Sequence, residues 1–140
     1  MSAYQRRVLV AWVPAVLTMA LIWSVSSMSA PEFPVHSFPF RDKGVHAVLY
    51  AGLAFLVAHA CLRTFEGRAR IRIALVALFV TVMWGFLDEV HQAFVPGRSA
   101  DLLDLAADAA GASFGASGRF VIGALAQRVL GRRAPAAGVV

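Results

Sequence analysis

The chain has 140 residues, of which 59% are hydrophobic and 15% charged, with a mean hydropathy of +0.70. Soluble domains carry about 25% charged residues, so this composition argues against an ordinary water-soluble domain, and the length suits one compact unit. The formal charge of +5 does not signal nucleic acid. Arg6-Arg7, the group Arg63, Arg68, Arg70 and Arg72, and the group Arg128, Arg132 and Arg133 flank apolar runs and form no single basic stripe.

Four apolar runs approach the roughly 20 residues that a helix needs to cross about 30 Å of hydrocarbon. They predict an all-α polytopic membrane protein, a bundle of four transmembrane helices forming one domain over 1–130. The first run, Val8 to Ser27, has the flanks of a signal peptide: Arg6-Arg7 before it and small residues before Pro31. It is longer than the 7–15 residues of a signal h-region and more spans follow it, so it reads as a retained helix that tolerates or kinks at Pro14.

Between the first and second runs, Pro31, Pro34 and Pro39 alternate with Phe33, Phe38 and Phe40. Aromatic residues favour the membrane interface, which suggests a cap over the bundle or one wall of a lipid cleft. The second run, Val45 to Leu62, holds Cys61, the only cysteine, so no intramolecular disulfide forms. The third extends from Ile71 to Phe86, or on to Phe94. The fourth starts near Leu102 and passes through the small residues up to Gly118. At Arg119 it either stops, leaving Phe120 to Leu130 along the membrane surface, or continues with the arginine snorkelling. Residues 131–140 are expected to be a disordered tail.

Orientation follows from the connections. Both termini and the 63–72 loop carry arginines, whereas 28–44 and 88–101 balance their cations with acids. The positive-inside rule puts the termini and the 63–72 loop in the cytoplasm. The other two loops then face outward, and nearly every unusual polar residue falls beside them.

Three polar groups stand out. Asp42, His46 and Tyr50 share one helical face at i, i+4 and i+8, with Lys43 beside them. Asp88, Glu89, His91 and Gln92 end the third run, followed by Phe94, Pro96 and Arg98. Asp101, Asp104 and Asp108 form a stripe continued by Gly111 and Gly115, a small-residue face that admits another helix, in this chain or a second copy.

Lys43, Glu89 and Asp101 fit a headgroup location, and acids at the start of the fourth helix suit its dipole. Asp88 and Asp108 sit deeper, where an ionised carboxylate costs roughly 2.5–3.5 kcal/mol and calls for a partner such as Arg98, Lys43 or His46. Arg98 follows the turn signal Pro96-Gly97. It can pair with Asp88 or Asp104, or present its planar fork to a ligand phosphate or carboxylate. His46 and His91 suit proton transfer, metal ligation or structural hydrogen bonds, while His36 and His59 lack such context. With no spacing of the HExxH kind, no metal and no cofactor is assigned.

The segments DKGVHAVLYAGLAFL (42–56) and DEVHQAFVPGRSADLLDLAADAAGASFG (88–115) resemble the two signature blocks of VanZ-like membrane proteins, and WSVSS (23–27) fits the end of their first helix. The family pattern has Asn or Asp at position 108; this chain has Asp. The resemblance implies a small polytopic protein of the bacterial cell membrane, in a family whose founding member is associated with teicoplanin resistance.

Two classes of function follow. One is binding or processing of an anionic, lipid-linked cell-envelope component. Its ligand-binding candidates are Asp42, Lys43, His46, Tyr50, Asp88, Glu89, Gln92, Arg98, Asp104 and Asp108. If it is an enzyme, Asp88, His91 or His46 is its acid or base. The other is a membrane scaffold or interaction protein in which the ionic network only locks the helices. A small proton-coupled transporter, assembled as a homo-oligomer, is a further alternative. Membrane lipids are the expected partners.

Overall fold

The computed structural model describes residues 1–29 and 41–131, without the side chains of Arg41 and Asp42. The Pro/Phe segment 31–40, His36 and the tail 132–140 therefore lie outside the described residues. Four helices follow one another: α1 (Ala3–Ser26), α2 (Arg41–Thr64), α3 (Arg70–Gln92) and α4 (Leu102–Gly131). No strand occurs among the described residues.

Local signals account for the helix ends. Ser2 caps α1 in a reciprocal box with Gln5: the Gln5 N–H donates to Ser2 Oγ at 3.2 Å, and the Ser2 N–H donates to Gln5 Oε1 at 2.7 Å. Pro14 lies inside α1, and Thr18 Oγ1 donates to its carbonyl at 2.9 Å. The α2–α3 turn uses Gly67 and the α3–α4 turn Gly97, both at positive φ (78° and 79°), a conformation that favours glycine. At α4 the Asp101 carboxylate accepts from the Leu103 N–H at 2.8 Å, the role of an N-cap residue.

The helices run alternately up and down. Tyr4 Oη of α1 donates to the Thr64 carbonyl at the end of α2 (2.8 Å), and Trp12 Nε1 to Thr64 Oγ1 (2.9 Å). The far end of α1 meets the far end of α3 through Ser26 and Asp88. α2 packs on all three other helices, most extensively on α4, and α1 does not touch α4. The α2–α4 contact is close because both sides are small. A Cβ on Gly111 would fall 2.1 Å from the Ala47 carbonyl oxygen, and one on Gly115 1.9 Å from that of Ala51. The Gly111–Gly115 face is thus used within the chain, which removes it as the contact between copies that the sequence left open.

The core is a slim column around α2: Tyr50, Leu53, Val57, Ala58 and Cys61, closed by Ala15 and Ile22 of α1 and Ile73 and Ala77 of α3. Cys61 is buried and free. The outer surface exposes many large apolar side chains, Leu17, Phe79 and Phe114 among them. Such contiguous exposed apolar surface is unusual for a protein dissolved in water. Three helical segments, Ala3–Ser26, Lys43–Thr64 and Arg70–Gln92, are long and apolar enough to cross a membrane. α4 is not among them, its apolar length being interrupted by Asp104, Asp108, Arg119 and Arg128. It does not stop at Arg119, however, but continues as one helix to Gly131.

Candidate functional site

The alternating topology gathers the last turn of α1, the first two turns of α2, the last turn of α3, the 93–101 connection and the first two turns of α4. The three polar groups of the sequence therefore meet at one end of the bundle. Lys43 Nζ donates to Asp101 Oδ2 and to Asp104 Oδ1, both at 2.7 Å. Hydrogen bonding to this ammonium holds the Asp101 carboxyl below the usual carboxylate range. The Asp101 N–H in turn donates to Glu89 Oε2 at 2.7 Å, so one short path joins α2, α4 and α3.

Deeper in the bundle, His46 Nδ1 and Asp108 Oδ1 are 3.0 Å apart. One turn further along α2, the Tyr50 ring lies parallel to the His46 ring with centroids 6.2 Å apart. Asp108 is fully buried and reaches α3 where Gly85 leaves room: a Cβ at Gly85 would be 2.8 Å from Asp108 Oδ2 and 3.0 Å from Tyr50 Cε1. On the α1 side, Asp88 Oδ2 accepts from Ser26 Oγ at 2.8 Å and from Gln92 Nε2 at 3.0 Å. His91 stacks on Trp23 at 4.1 Å, and its Nε2 lies 2.9 Å from Ser27 Oγ.

Arg98 pairs with neither Asp88 nor Asp104. Its Nε and one terminal nitrogen donate to the carbonyls of Met28 and Val25, at 3.4 and 3.5 Å. These carbonyls belong to the C-terminal end of α1, the end where a helix dipole favours a cation. Both bonds lie at the long limit of hydrogen-bond geometry. Asp42 lies outside the described side chains. The other nine ligand-binding candidates, and the three acid–base candidates, all belong to this assembly.

Two features mark the cluster as more than a set of satisfied pairs. First, Asp88 Oδ1, Glu89 Oε1, Asp108 Oδ2 and Tyr50 Oη are buried and have no hydrogen-bond partner among the described residues. Second, donor atoms of His46, Glu89 and Asp108 lie within 4.8 Å of one another, one from each residue. Beside them, a cleft of about 310 Å³ opens between α3 and α4, walled by Phe86, Val90, Phe94, Leu102 and Leu105, with Glu89 and Asp101 on its lining.

Ser26, Ser27, Trp23 and Gly85 were not singled out as site residues from sequence. Serines at a helix end look like ordinary caps, and a lone glycine in an apolar run gives no hint of what it faces. WSVSS is the only signal that pointed there. Away from the site, His59 proves not to be incidental: its Nδ1 accepts from Arg119 Nε at 3.2 Å, and the Arg119 guanidinium lies over the Phe55 ring.

In a comparison with known protein families, a model described as VanZ/LLP1 matches residues 4–123, most of the chain and every element of the site. No curated protein and no solved structure shows a significant match.

Proposed function

The chain belongs to the VanZ/LLP1 family, and from that premise we propose that it is a multi-pass protein of the bacterial inner membrane that binds or processes an anionic, lipid-linked envelope component. In this reading all four helices span the bilayer, α4 included, because its charges face partners in α2: Asp104 meets Lys43, Asp108 meets His46 and Arg119 meets His59. Arginines at the N-terminus, in the 63–72 loop and near the C-terminus keep those segments cytoplasmic, so the polar cluster faces outward.

The observation that carries the proposal is the apolar cleft between α3 and α4 beside the charged cluster. A lipid chain suits its Phe and Leu walls. The cations nearest in the chain to its polar rim are Lys43, bonded to the lining residue Asp101, and Arg98 of the same connection, which would have to leave α1 to meet a headgroup. The bonds of Arg98 to α1 are long, so exchanging them for bidentate contacts to a phosphate costs little and gains charge-assisted bonds. Altered handling of such a component is also the route by which a protein of this kind would influence teicoplanin resistance.

The rival role, a scaffold locked by its own ionic network, draws support from Lys43, whose two short ion pairs are both internal. Mass spectrometry of envelope lipids separates the two. Cells with the native protein, with none, and with Arg98→Ala inserted at equal level would be compared. A lipid-linked intermediate that changes alike in the null and in Arg98→Ala supports the proposal. Unchanged lipids in both would favour the scaffold.

A further inference from the structure

We infer that His46, Glu89 and Asp108 form a three-ligand site for a divalent transition-metal ion of the Zn2+ type. Three separate elements supply the donors, α2 His46, α3 Glu89 and α4 Asp108, and one donor atom from each lies within 4.8 Å of the others. Both carboxylates are nearly or fully buried, Glu89 at 5% and Asp108 at 0% exposure. Each retains an oxygen with no hydrogen-bond partner among the described residues, Glu89 Oε1 and Asp108 Oδ2.

A second observation is independent of the three ligands. Asp88 and Tyr50, each 1% exposed, also bury a polar atom without a partner, Oδ1 and Oη. Tyr50 stands against Gly85 together with Asp108 Oδ2, on the face it shares with His46. Buried polar atoms are nearly always satisfied, and here three carboxylate oxygens and a phenol hydroxyl are not.

Charge points the same way. The described side chains of the cluster include five carboxylates, Asp88, Glu89, Asp101, Asp104 and Asp108, against Lys43 and Arg98 as permanent cations. Lys43 is occupied by Asp101 and Asp104. Asp88, Glu89 and Asp108 are thus left in a low-dielectric layer, where a bound cation relieves the cost of burial.

The geometry is close to what a metal needs. Ligands about 2.1 Å from a tetrahedral Zn2+ ion stand roughly 3.4 Å apart, and His46 Nδ1 and Asp108 Oδ1 are already 3.0 Å apart. Glu89, whose donor atom lies within 4.8 Å of the other two, closes the triangle by a side-chain movement of up to about 1.4 Å, the difference from the roughly 3.4 Å spacing. The ion would stand between Nδ1 and Oδ1, with Nδ1 of the bound imidazole carrying no proton. Imidazole together with carboxylate suits Zn2+ or Mn2+ better than Mg2+ or Ca2+, which prefer oxygen alone. Three protein ligands leave a coordination position for a further group. Only here does the inference rest on the lipid-linked reading: the open position would take a phosphate oxygen of the headgroup, which explains how an acid-rich site accepts an anion.

The test needs no lipid substrate. Detergent-purified full-length protein is stripped with a chelator, then titrated with Zn2+ against a chromophoric competitor, alongside Glu89→Gln, Asp108→Asn and the control Glu66→Gln, an exposed carboxylate in the 63–72 loop at the other end of the bundle. One saturable equivalent in the wild type and in Glu66→Gln, with affinity weakened more than about tenfold in the other two, is the expected result, since losing even a residue that only orients a ligand costs roughly 10–100-fold. The inference is overturned if stripped wild-type protein takes up no saturable Zn2+, or if folded Glu89→Gln and Asp108→Asn bind as tightly as the wild type. Should those variants fail to fold, the melting of stripped wild-type protein decides: a Tm raised by stoichiometric Zn2+ supports the site, and an unchanged Tm overturns it. Metal binding alongside unchanged envelope lipids would count against the lipid-linked reading and leave the metal site standing.

Discussion

At the scale of single residues, two contacts deserve direct tests because sequence spacing only half reveals them. Gly85 is the place where α3 has no side chain, and Asp108 and Tyr50 fill the space. Gly85→Ala puts a methyl 2.8 Å from Asp108 Oδ2 and 3.0 Å from Tyr50 Cε1. An overpacked core loses roughly 1–3 kcal/mol, so thermal unfolding in detergent should show a clearly lowered Tm. The same change at Gly52, where nothing lies within 4 Å, should leave it unaffected or slightly raised. Asp101 offers a pH test. Its folded carboxyl titrates below the ordinary range because of Lys43, so its stabilising effect is complete above the unfolded value near pH 3.9. That effect is lost as pH falls through the lower folded value. The Tm gap between wild type and Asp101→Asn should therefore hold at neutral pH and shrink in acid below about pH 4. The Asp101, Asp104 and Asp108 stripe was legible because i, i+3 and i+7 share a helix face. The Ser26–Asp88 bond was not, because its partners stand 62 residues apart and a serine at a helix end looks like a cap. Nor were the acceptors of Arg98, since backbone carbonyls leave no mark in a sequence.

At the scale of elements, the α2–α4 pair holds the site together. His46–Asp108 and Lys43–Asp104 cross it at the end that holds the polar cluster, and Gly111 and Gly115 let it close against the Ala47 and Ala51 backbone. Small residues at such positions are a common device for close helix packing in membranes. Their presence was plain in the sequence; whether they served another helix of the same chain or a second copy was not, because the pattern is the same in both cases. Gly115→Leu should separate the two helices, costing about 3 kcal/mol, and should disturb the His46–Asp108 pair although it touches neither residue. Gly118→Leu, on the same helix with nothing within 4 Å, should leave Tm unchanged. Equal losses from both variants would show that the bulk of a leucine anywhere on α4, not the close approach at Gly115, sets the cost, since helix propensity favours leucine over glycine at both positions.

At the scale of the whole molecule, an apolar exterior surrounds a thin core, and charge is confined to the two ends and a few paired positions inside. The helix number and boundaries were largely readable from hydropathy, since lipid demands long uninterrupted apolar helices. α4 was the difficult element because the partners of Asp104, Asp108 and Arg119 lie in α2, a tertiary fact invisible to composition. The proposed orientation can be checked by thiol labelling in intact cells on a Cys61→Ser background: Ser99→Cys should react with an impermeant reagent, and Glu66→Cys only after permeabilisation. The reverse pattern would place the site in the cytoplasm. The most direct test of the central claim is to identify the lipids that copurify with the protein. Wild type, and Arg98→Ala of equal Tm, would be extracted in mild detergent beside an unrelated membrane protein from the same cells. The account predicts that an anionic lipid-linked envelope component is enriched with the wild type and lost with Arg98→Ala. Lipids matching the bulk membrane in all three samples would contradict it.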